Sequence, residues 1–301
     1  MTNGAPLGNS SPAHDCAVIQ AMTQPIGIFD SGIGGLSVLK ALRAELPHED
    51  FIYIADSGHA PYGERDDAYV VARSLAVSKY LVKQNIKALV VACNTATAAA
   101  IDLLRATYPT LPIVGVEPAL KPAVQLSRTK HIAVMATRST LASARFAALL
   151  AAHSDQARFT LLPCDGLAEA IERSWQSPDT TELIAACARM IGVTGLFVIE
   201  NKAKTGIDTV VLGCTHYPFA AQHIEQHIAQ HTDQQAGAGV QLIDTGAAVA
   251  QQTRLRLGRQ LAAQRNPATI QFISTGSASA LQAAAKAWLG MTANVKSLVI
   301  Q

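Results

Sequence analysis

The sequence has few charged residues, few aromatic residues and no long apolar run. Charged residues make up 15% of its 301 residues and aromatic residues 5%, and the net charge is only +2. So small a positive charge, without any run of Lys and Arg, argues against nucleic-acid binding. No uninterrupted apolar stretch approaches the roughly 20 residues that span a bilayer, so we predict no membrane partner. This composition is typical of a globular protein with a large buried core.

The amino-terminal segment and the cysteines bear on where the protein works. Residues Met1–Gln24 are rich in Gly, Ser, Pro and Asn, and they lack the basic start and the apolar run of a secretion signal. The five cysteines are an odd number, and we expect them to be reduced thiols rather than a disulfide framework. We therefore predict a flexible extension over residues 1–24 and a cytoplasmic protein.

Apolar strand-like runs alternate with alanine-rich helical stretches along the rest of the chain. That alternation predicts an α/β fold of mostly parallel sheets flanked by helices. The pattern repeats once, so we expect two pseudo-symmetric lobes with an active site between them. The chain should cross between lobes at the prolines of Gly115–Pro122 and again in the Gly- and Gln-rich stretch His231–Gly239. The predicted division is a first lobe at residues 25–117 plus 235–301 and a second lobe at residues 118–234.

Two short stretches in the two halves resemble each other. Val90–Thr95 (VVACNT) and Val210–His216 (VVLGCTH) are both apolar runs that end in a cysteine followed by small polar residues. Each pattern is typical of a buried strand that delivers a thiol to its carboxyl end. Two thiols presented by two similar halves indicate one site that works from two sides. Such a site suits an enzyme that removes a proton from one face of a carbon and returns one to the other.

Other polar residues also follow predicted strands, where ligands of open α/β sheets bind. Asp30–Leu36 (DSGIGGL) follows the first strand and opens a helix. Its glycines allow close approach of a ligand, and the helix N-terminus offers free N–H groups to a carboxylate. The spacing is not the dinucleotide-binding fingerprint. The loop Asp56–Arg65 follows the second strand, and turn chemistry explains it equally well.

Four segments, in this order, closely resemble the motifs of the bacterial glutamate racemase family: Ile28–Leu36 (IFDSGIGGL), Pro61–Arg65 (PYGER), Ala92–Ala96 (ACNTA) and Leu212–Pro218 (LGCTHYP). The resemblance runs from about Ile26 onward. It implies two α/β lobes with the site between them, no cofactor, and D-glutamate production for peptidoglycan, hence for cell shape. Matched motif by motif, it implies that the substrate is held by Asp30, Ser31, Tyr62, Gly63, Asn94, Thr95, Thr215 and His216.

Racemisation requires breaking a Cα–H bond that is a very weak acid. Two thiols that face each other across Cα solve the problem, because one takes the proton as a thiolate while the other supplies a proton as a thiol. A free thiol has a pKa of about 8.5, so a neighbouring base or helix N-terminus must raise the thiolate share. We expect Cys93 and Cys214 to be this pair, helped by Asp30 and His216 respectively. By resemblance, Cys93 deprotonates D-glutamate and Cys214 deprotonates L-glutamate.

The family often carries one more carboxylate, in the second lobe. Only the segment Cys164–Glu172 (CDGLAEAIE) is loosely similar to that motif, and it lacks the family's prolines. We take Glu172 as the catalytic carboxylate, with Glu169 as its rival. A solvated helix face explains either residue equally well.

Several alternatives remain open from the sequence. An aspartate or hydantoin racemase shares the two-thiol logic, and a non-catalytic carboxylate-binding module could use the same scaffold. A pyridoxal phosphate enzyme needs a Schiff-base lysine beside a phosphate cup, which the sequence does not offer. We predict no metal, because no metal-ligand spacing accompanies Cys214 and His216. For partners, we predict glutamate as a small-molecule substrate and a homodimer as the candidate oligomer.

Overall fold

The computed structural model describes residues 23–175, 179–192, 206–231, 240–262 and 268–301. Residues 1–22 of the predicted extension, and with them Cys16, lie outside the described residues. The strands are β1 (Ile26–Asp30), β2 (Phe51–Ala55), β3 (Ala88–Val91), β4 (Ile113–Gly115), β5 (His131–Ala136), β6 (Arg158–Pro163), β7 (Thr209–Leu212), β8 (Gln241–Ile243), β9 (Ile270–Ser274) and β10 (Val295–Ser297).

Helices connect most successive strands, as the alternating sequence pattern predicts. They are α1 (Leu36–Glu45), α2 (Asp67–Lys83), α3 (Asn94–Thr107), α4 (Leu120–Leu126), α5 (Arg138–Ala142), α6 (Ala144–Ala151), α7 (Leu167–Ser174), α8 (Thr181–Gly192), α9 (Ala221–His231), α10 (Gly246–Leu257) and α11 (Ala278–Leu289). In the part of the chain that the structure describes, none of these helices is long and apolar enough to cross a membrane.

The first lobe is built on a parallel six-stranded sheet in the order β10-β9-β2-β1-β3-β4. Alternate residues of its central strands enter two different apolar clusters: Ile28 and Val90 pack on one face, and Phe29 and Val91 on the other. Because side chains alternate across a strand, both faces are buried, which explains the continuous apolar runs in the sequence. Burying each such side chain contributes about 1.5–3 kcal/mol.

The second lobe is built on a parallel four-stranded sheet in the order β6-β5-β7-β8. Residues 235–301 were expected in the first lobe, and this boundary is wrong at β8: Thr209 pairs with Gln241 and Val211 with Ile243, so β8 extends the second sheet. The chain returns to the first lobe at α10, which packs on α1. With this change, the structure confirms an α/β fold of two lobes.

The two lobes share apolar contacts. One buried cluster contains Val90 of the first sheet and Val210 of the second. At its edge, Trp288 of α11 stacks on Phe219 of the second lobe at 4.4 Å between ring centroids and an interplanar angle of 26°. Phe219 in turn meets Trp175 edge-on at 5.9 Å. We call Trp288, Phe219 and Trp175 the interlobe aromatic cluster.

Candidate active site

The carboxyl ends of the central strands of both sheets meet between the lobes. Asp30 is the last residue of β1, and Cys93 and Cys214 each lie two residues beyond the end of β3 and β7. The Thr215 hydroxyl of the second lobe donates to Asp30 Oδ1 of the first at 3.3 Å. The structure therefore brings the two cysteine motifs and the first glycine-rich motif to one place, as the sequence predicts.

Cys93 lies at the N-terminus of α3. It has extended backbone angles and caps the helix, and its Sγ accepts a hydrogen bond from the Ala96 N–H at 3.4 Å. Sγ also lies 3.8 Å from Ser31 Oγ. Burial raises the pKa of the Cys93 thiol, and the nearby Asp30 carboxylate raises it further. The resting thiol is therefore protonated, and the helix N-terminus supplies the positive potential that favours a thiolate when one forms.

Asp30 is completely buried and held in a fixed orientation. Its Oδ2 accepts hydrogen bonds from the backbone N–H groups of Gly32 at 3.2 Å and Gly35 at 3.0 Å. Burial nevertheless raises the pKa of its carboxyl, against the opposing effect of His216. A carboxylate with a raised pKa is a better proton acceptor, so Asp30 has the chemistry needed to receive the proton of Cys93.

Cys214, His216 and Glu172 form a hydrogen-bonded series in the second lobe. Cys214 Sγ lies 3.7 Å from His216 Nδ1, and His216 Nε2 lies 2.7 Å from Glu172 Oε1. A carboxylate can only accept, so it favours the tautomer with hydrogen on Nε2 and leaves Nδ1 free to take the thiol proton. Burial lowers the pKa of His216, but its bonds to Cys214 and Glu172 outweigh this effect and hold the pKa well above its usual value. The arrangement is that of a nucleophile or base activated by an oriented histidine.

The structure separates the two rival carboxylates of α7. Glu172 is 8% exposed and, besides His216, receives the Ile33 N–H of the first lobe at 2.6 Å. Glu169 instead lies on the outer face of the helix, where it pairs with Arg173. Glu172 therefore belongs to the site by geometry, and Glu169 is a surface residue.

Glu172 and His216 fit against glycines of the first lobe. A Cβ atom added to Gly32 would fall on the Glu172 carboxylate, with Cδ only 2.6 Å away. A Cβ atom added to Gly34 would fall on the His216 ring, 2.8 Å from Cγ. The Asp30–Leu36 motif thus needs glycine at these two positions because side chains of the other lobe occupy the space.

The remaining predicted binding residues line the same region. Asn94 is buried, and neither its Oδ1 nor its Nδ2 atom has a hydrogen-bond partner. Thr95 Oγ1 lies 3.1 Å from Thr137 Oγ1 of the second lobe. A Cβ atom at Gly63 would be 2.7 Å from Thr137, so the loop that contains Tyr62 also reaches the second lobe. Buried polar groups without a partner are rare in proteins, and the free amide of Asn94 points to a polar ligand.

Sequence reasoning missed two residues of this region, Thr137 and Asp56. Thr137 follows β5 and caps α5, and it also contacts Thr95 across the lobes. One feature of the sequence pointed to Thr137. It follows the first strand of the second half, just as Asp30 ends the corresponding strand of the first half. Asp56 was given no role, because turn chemistry explained its loop equally well, but it is fully buried and paired with Arg73. No local pattern in the sequence indicates that long-range pair.

Cys164 and Cys187, the other two cysteines among the described residues, are both buried and free. Among the residues that the structure describes, no group of three or more His, Cys, Asp or Glu side chains is arranged to hold a metal ion.

This fold and site define a class of protein. Residues 35–253 match the family model described as Asp/Glu/Hydantoin racemase, and the chain belongs to that family of isomerases. Within it, similar relatives of this chain are named glutamate racemase. The one from Ectopseudomonas mendocina is 44% identical over 274 residues, which cover 90% of this chain and 97% of that relative.

Solved structures of glutamate racemases have the same fold. Isoform RacE1 from Bacillus anthracis superposes with a TM-score of 0.77 at 28% identity, covering 92% of this chain and 98% of the other. The Escherichia coli enzyme, in complex with L-glutamate and the activator UDP-MurNAc-Ala, has a TM-score of 0.76 at 28% identity, covering 92% of this chain and 99% of the other.

Proposed function

We propose that the protein interconverts L- and D-glutamate without a cofactor, by proton transfer between the substrate Cα and two cysteine thiols. The observation that carries the proposal is the placement of Cys93 and Cys214 at one site, with the Asp30 carboxylate near enough to Cys93 to raise the pKa of its thiol and with His216 Nδ1 3.7 Å from Cys214 Sγ. Binding glutamate alone needs no such matched pair. The names of the relatives support glutamate as the substrate.

In the proposed reaction, the Cys214 thiolate removes the α-proton of L-glutamate, and the electron pair delocalises into the α-carboxylate. The Cys93 thiol then gives its proton to the opposite face, which yields D-glutamate. The reverse reaction exchanges the two roles. After a turnover from L-glutamate, Cys214 carries the substrate's proton and Cys93 is a thiolate. Cys214 then passes a proton to His216, and Cys93 takes one back from the Asp30 carboxyl or from solvent, which restores both starting states; after a turnover from D-glutamate the two transfers run in the opposite direction.

Hydrogen-bond donors hold the substrate and the extra charge of the intermediate in this proposal. The free amide of Asn94 and the hydroxyls of Ser31 and Thr95 supply such donors within the site, while the Thr215 hydroxyl is used to bind Asp30. Donors aimed at a developing negative charge stabilise it strongly in a water-poor site. Tyr62 and Gly63 border the same space from the loop on the first lobe.

The biological setting is part of the proposal. D-glutamate made by this reaction would serve peptidoglycan synthesis, and through it the cell wall and cell shape. A cytoplasmic location fits the chemistry, because both thiols must stay reduced. The homodimer stays a prediction, which sedimentation of the purified chain tests.

The experiment that tests the proposed function is proton exchange in deuterium oxide. Incubated with L-glutamate and no added cofactor, the protein should replace the α-proton by deuterium while the optical rotation falls to zero. Aspartate, offered at the same concentration, should exchange far more slowly. If the α-proton signal and the optical rotation both persist, the proposed function is wrong. The remaining interpretation is then a carboxylate-binding module.

His216→Asn should lower kcat from L-glutamate about tenfold or more, with a smaller effect on kcat from D-glutamate. The variant lacks the acceptor that prepares only one of the two thiols. The equilibrium constant between enantiomers cannot change, so kcat/KM must fall equally in both directions and only the two kcat values can differ. The rate at which iodoacetamide alkylates Cys214 at neutral pH should also fall. Unchanged alkylation together with unchanged kcat values would make His216 a packing residue.

A further inference from the structure

Asp56 is the centre of a buried hydrogen-bond network that the proposed proton transfers do not use. Its side chain lies just beyond β2 and has no exposed surface. Oδ2 accepts from the Tyr62 hydroxyl at 2.6 Å and from Arg73 Nε at 3.0 Å. Oδ1 accepts from Arg73 Nη2 at 2.9 Å and from the Thr275 hydroxyl at 2.8 Å. Both oxygens are therefore fully occupied.

Arg73 makes this carboxylate rigid. The guanidinium binds Asp56 through two parallel N–H donors, the geometry that gives an ion pair both strength and direction. Its remaining Nη1 donates to the Ile300 carbonyl at 2.7 Å, and the Ile300 side chain is itself buried. Asp56 is thus held by Arg73 of α2 and by Thr275, the residue after β9, and Arg73 is held in turn by the segment after β10.

Tyr62 connects this rigid group to the active site. The Tyr62 ring is buried, and the next residue, Gly63, packs against Thr137 of the second lobe. Burial and the Asp56 carboxylate raise the pKa of the Tyr62 hydroxyl far above its usual value, so the hydroxyl stays a donor. The Tyr62 hydroxyl therefore ties the Tyr62–Gly63 segment to Asp56 through one short hydrogen bond.

We propose that Asp56 is a positioning residue for glutamate: it fixes Tyr62, and through Tyr62 the loop segment that borders the substrate. This inference rests on the proposed function. Because Asp56 contacts neither Cys93 nor Cys214 in these networks, it acts on substrate affinity more than on proton transfer. Its effect should appear in KM and in the Kd for glutamate, with a small effect on kcat.

Tyr62→Phe is the first test, since it removes only the hydroxyl and leaves the Asp56–Arg73 pair in place. The KM and the calorimetric Kd for glutamate should rise about tenfold, in line with the loss of a hydrogen bond to a charged group, while kcat changes less than about threefold. The matched control is Tyr80→Phe on α2, a half-buried tyrosine beside the same apolar cluster, which should leave both constants unchanged.

The second test asks whether Asp56 acts through Tyr62. Asp56→Asn should raise KM at least as much as Tyr62→Phe, and the double variant should raise it no further than the larger single effect, because both changes break the same bond. Where Asp56→Asn fails to fold, Thr275→Val removes one donor to Asp56 without touching Tyr62 and should raise KM by a smaller factor. Thermal unfolding of every variant identifies losses that come from instability.

The outcomes separate this inference from the proposed function. If the unchanged protein racemises glutamate but Tyr62→Phe alters KM and Kd by less than twofold, the positioning role is wrong and the function stands. Additive effects in the double variant also contradict it. If the unchanged protein binds glutamate without racemising it, Kd alone decides the positioning role. If it neither binds nor racemises glutamate, both proposals fail.

Discussion

Cys93→Ser and Cys214→Ser should each reduce racemisation of glutamate by at least about 10²–10⁴-fold, the usual contribution of a positioned acid/base group. A serine hydroxyl is a far poorer base than a thiolate near neutral pH, and neither change alters the shape of the site much. Both directions of the reaction should lose activity, because every turnover in the proposed mechanism uses both thiols. Circular dichroism of the glutamate enantiomers measures the loss.

Cys187→Ser is the matched control for this pair. Cys187 is as buried as the two proposed catalytic thiols, but it lies on α8 and takes no part in the hydrogen bonds of the site. This variant should keep nearly full activity. If Cys93→Ser or Cys214→Ser keeps more than about a tenth of the original turnover, that cysteine does not take part in the reaction.

Gly32→Ala should lower kcat/KM for glutamate by between about 5-fold and 150-fold. The added methyl group occupies the position of the Glu172 carboxylate, so Glu172 and with it His216 must move or the lobes must separate. Overpacking of this kind costs about 1–3 kcal/mol, and each 1.36 kcal/mol corresponds to a tenfold change in rate. Steady-state kinetics in both directions measure the effect.

A compensating change distinguishes this clash from a general loss of stability. Glu172→Asp shortens the side chain by one methylene group and makes room for the added methyl group. The double variant Gly32→Ala with Glu172→Asp should therefore be more active than Gly32→Ala alone. Glu172→Asp on its own lowers the activity of the unchanged protein by some factor. If it lowers the activity of Gly32→Ala by the same factor, the two residues act independently and the interpretation of the contact is wrong.

Local patterns predicted the parts of the molecule that depend on local interactions. The apolar runs before Cys93 and Cys214 indicated buried strands, and both thiols do follow the strands β3 and β7. Two edge strands escaped prediction. β6 consists of exposed and half-buried residues only, and β10 has three residues, of which two are exposed, so neither shows the continuous apolar run of a central strand.

Contacts between distant segments set the limit of sequence reasoning at the site. Choosing Glu172 over Glu169 required knowing which face of α7 meets Ile33 of the other lobe, 139 residues away in the sequence. The pair of Asp56 and Arg73 is only 17 residues apart, but it crosses from a loop to a helix whose orientation no local pattern specifies. For the same reason the short strand β8 was placed in the wrong lobe.

The interlobe aromatic cluster gives the protein an optical reporter of its own. The chain contains only two tryptophans, and Trp175 and Trp288 are both in that cluster. Trp175 follows Glu172 by three residues, and Phe219, which lies between the two indoles, follows His216 by three. The indole N–H atoms of both are buried and have no hydrogen-bond partner, so their emission is sensitive to the entry of water. Tryptophan fluorescence of the unlabelled protein therefore reports on one place, the junction of the lobes beside the Glu172–His216 pair.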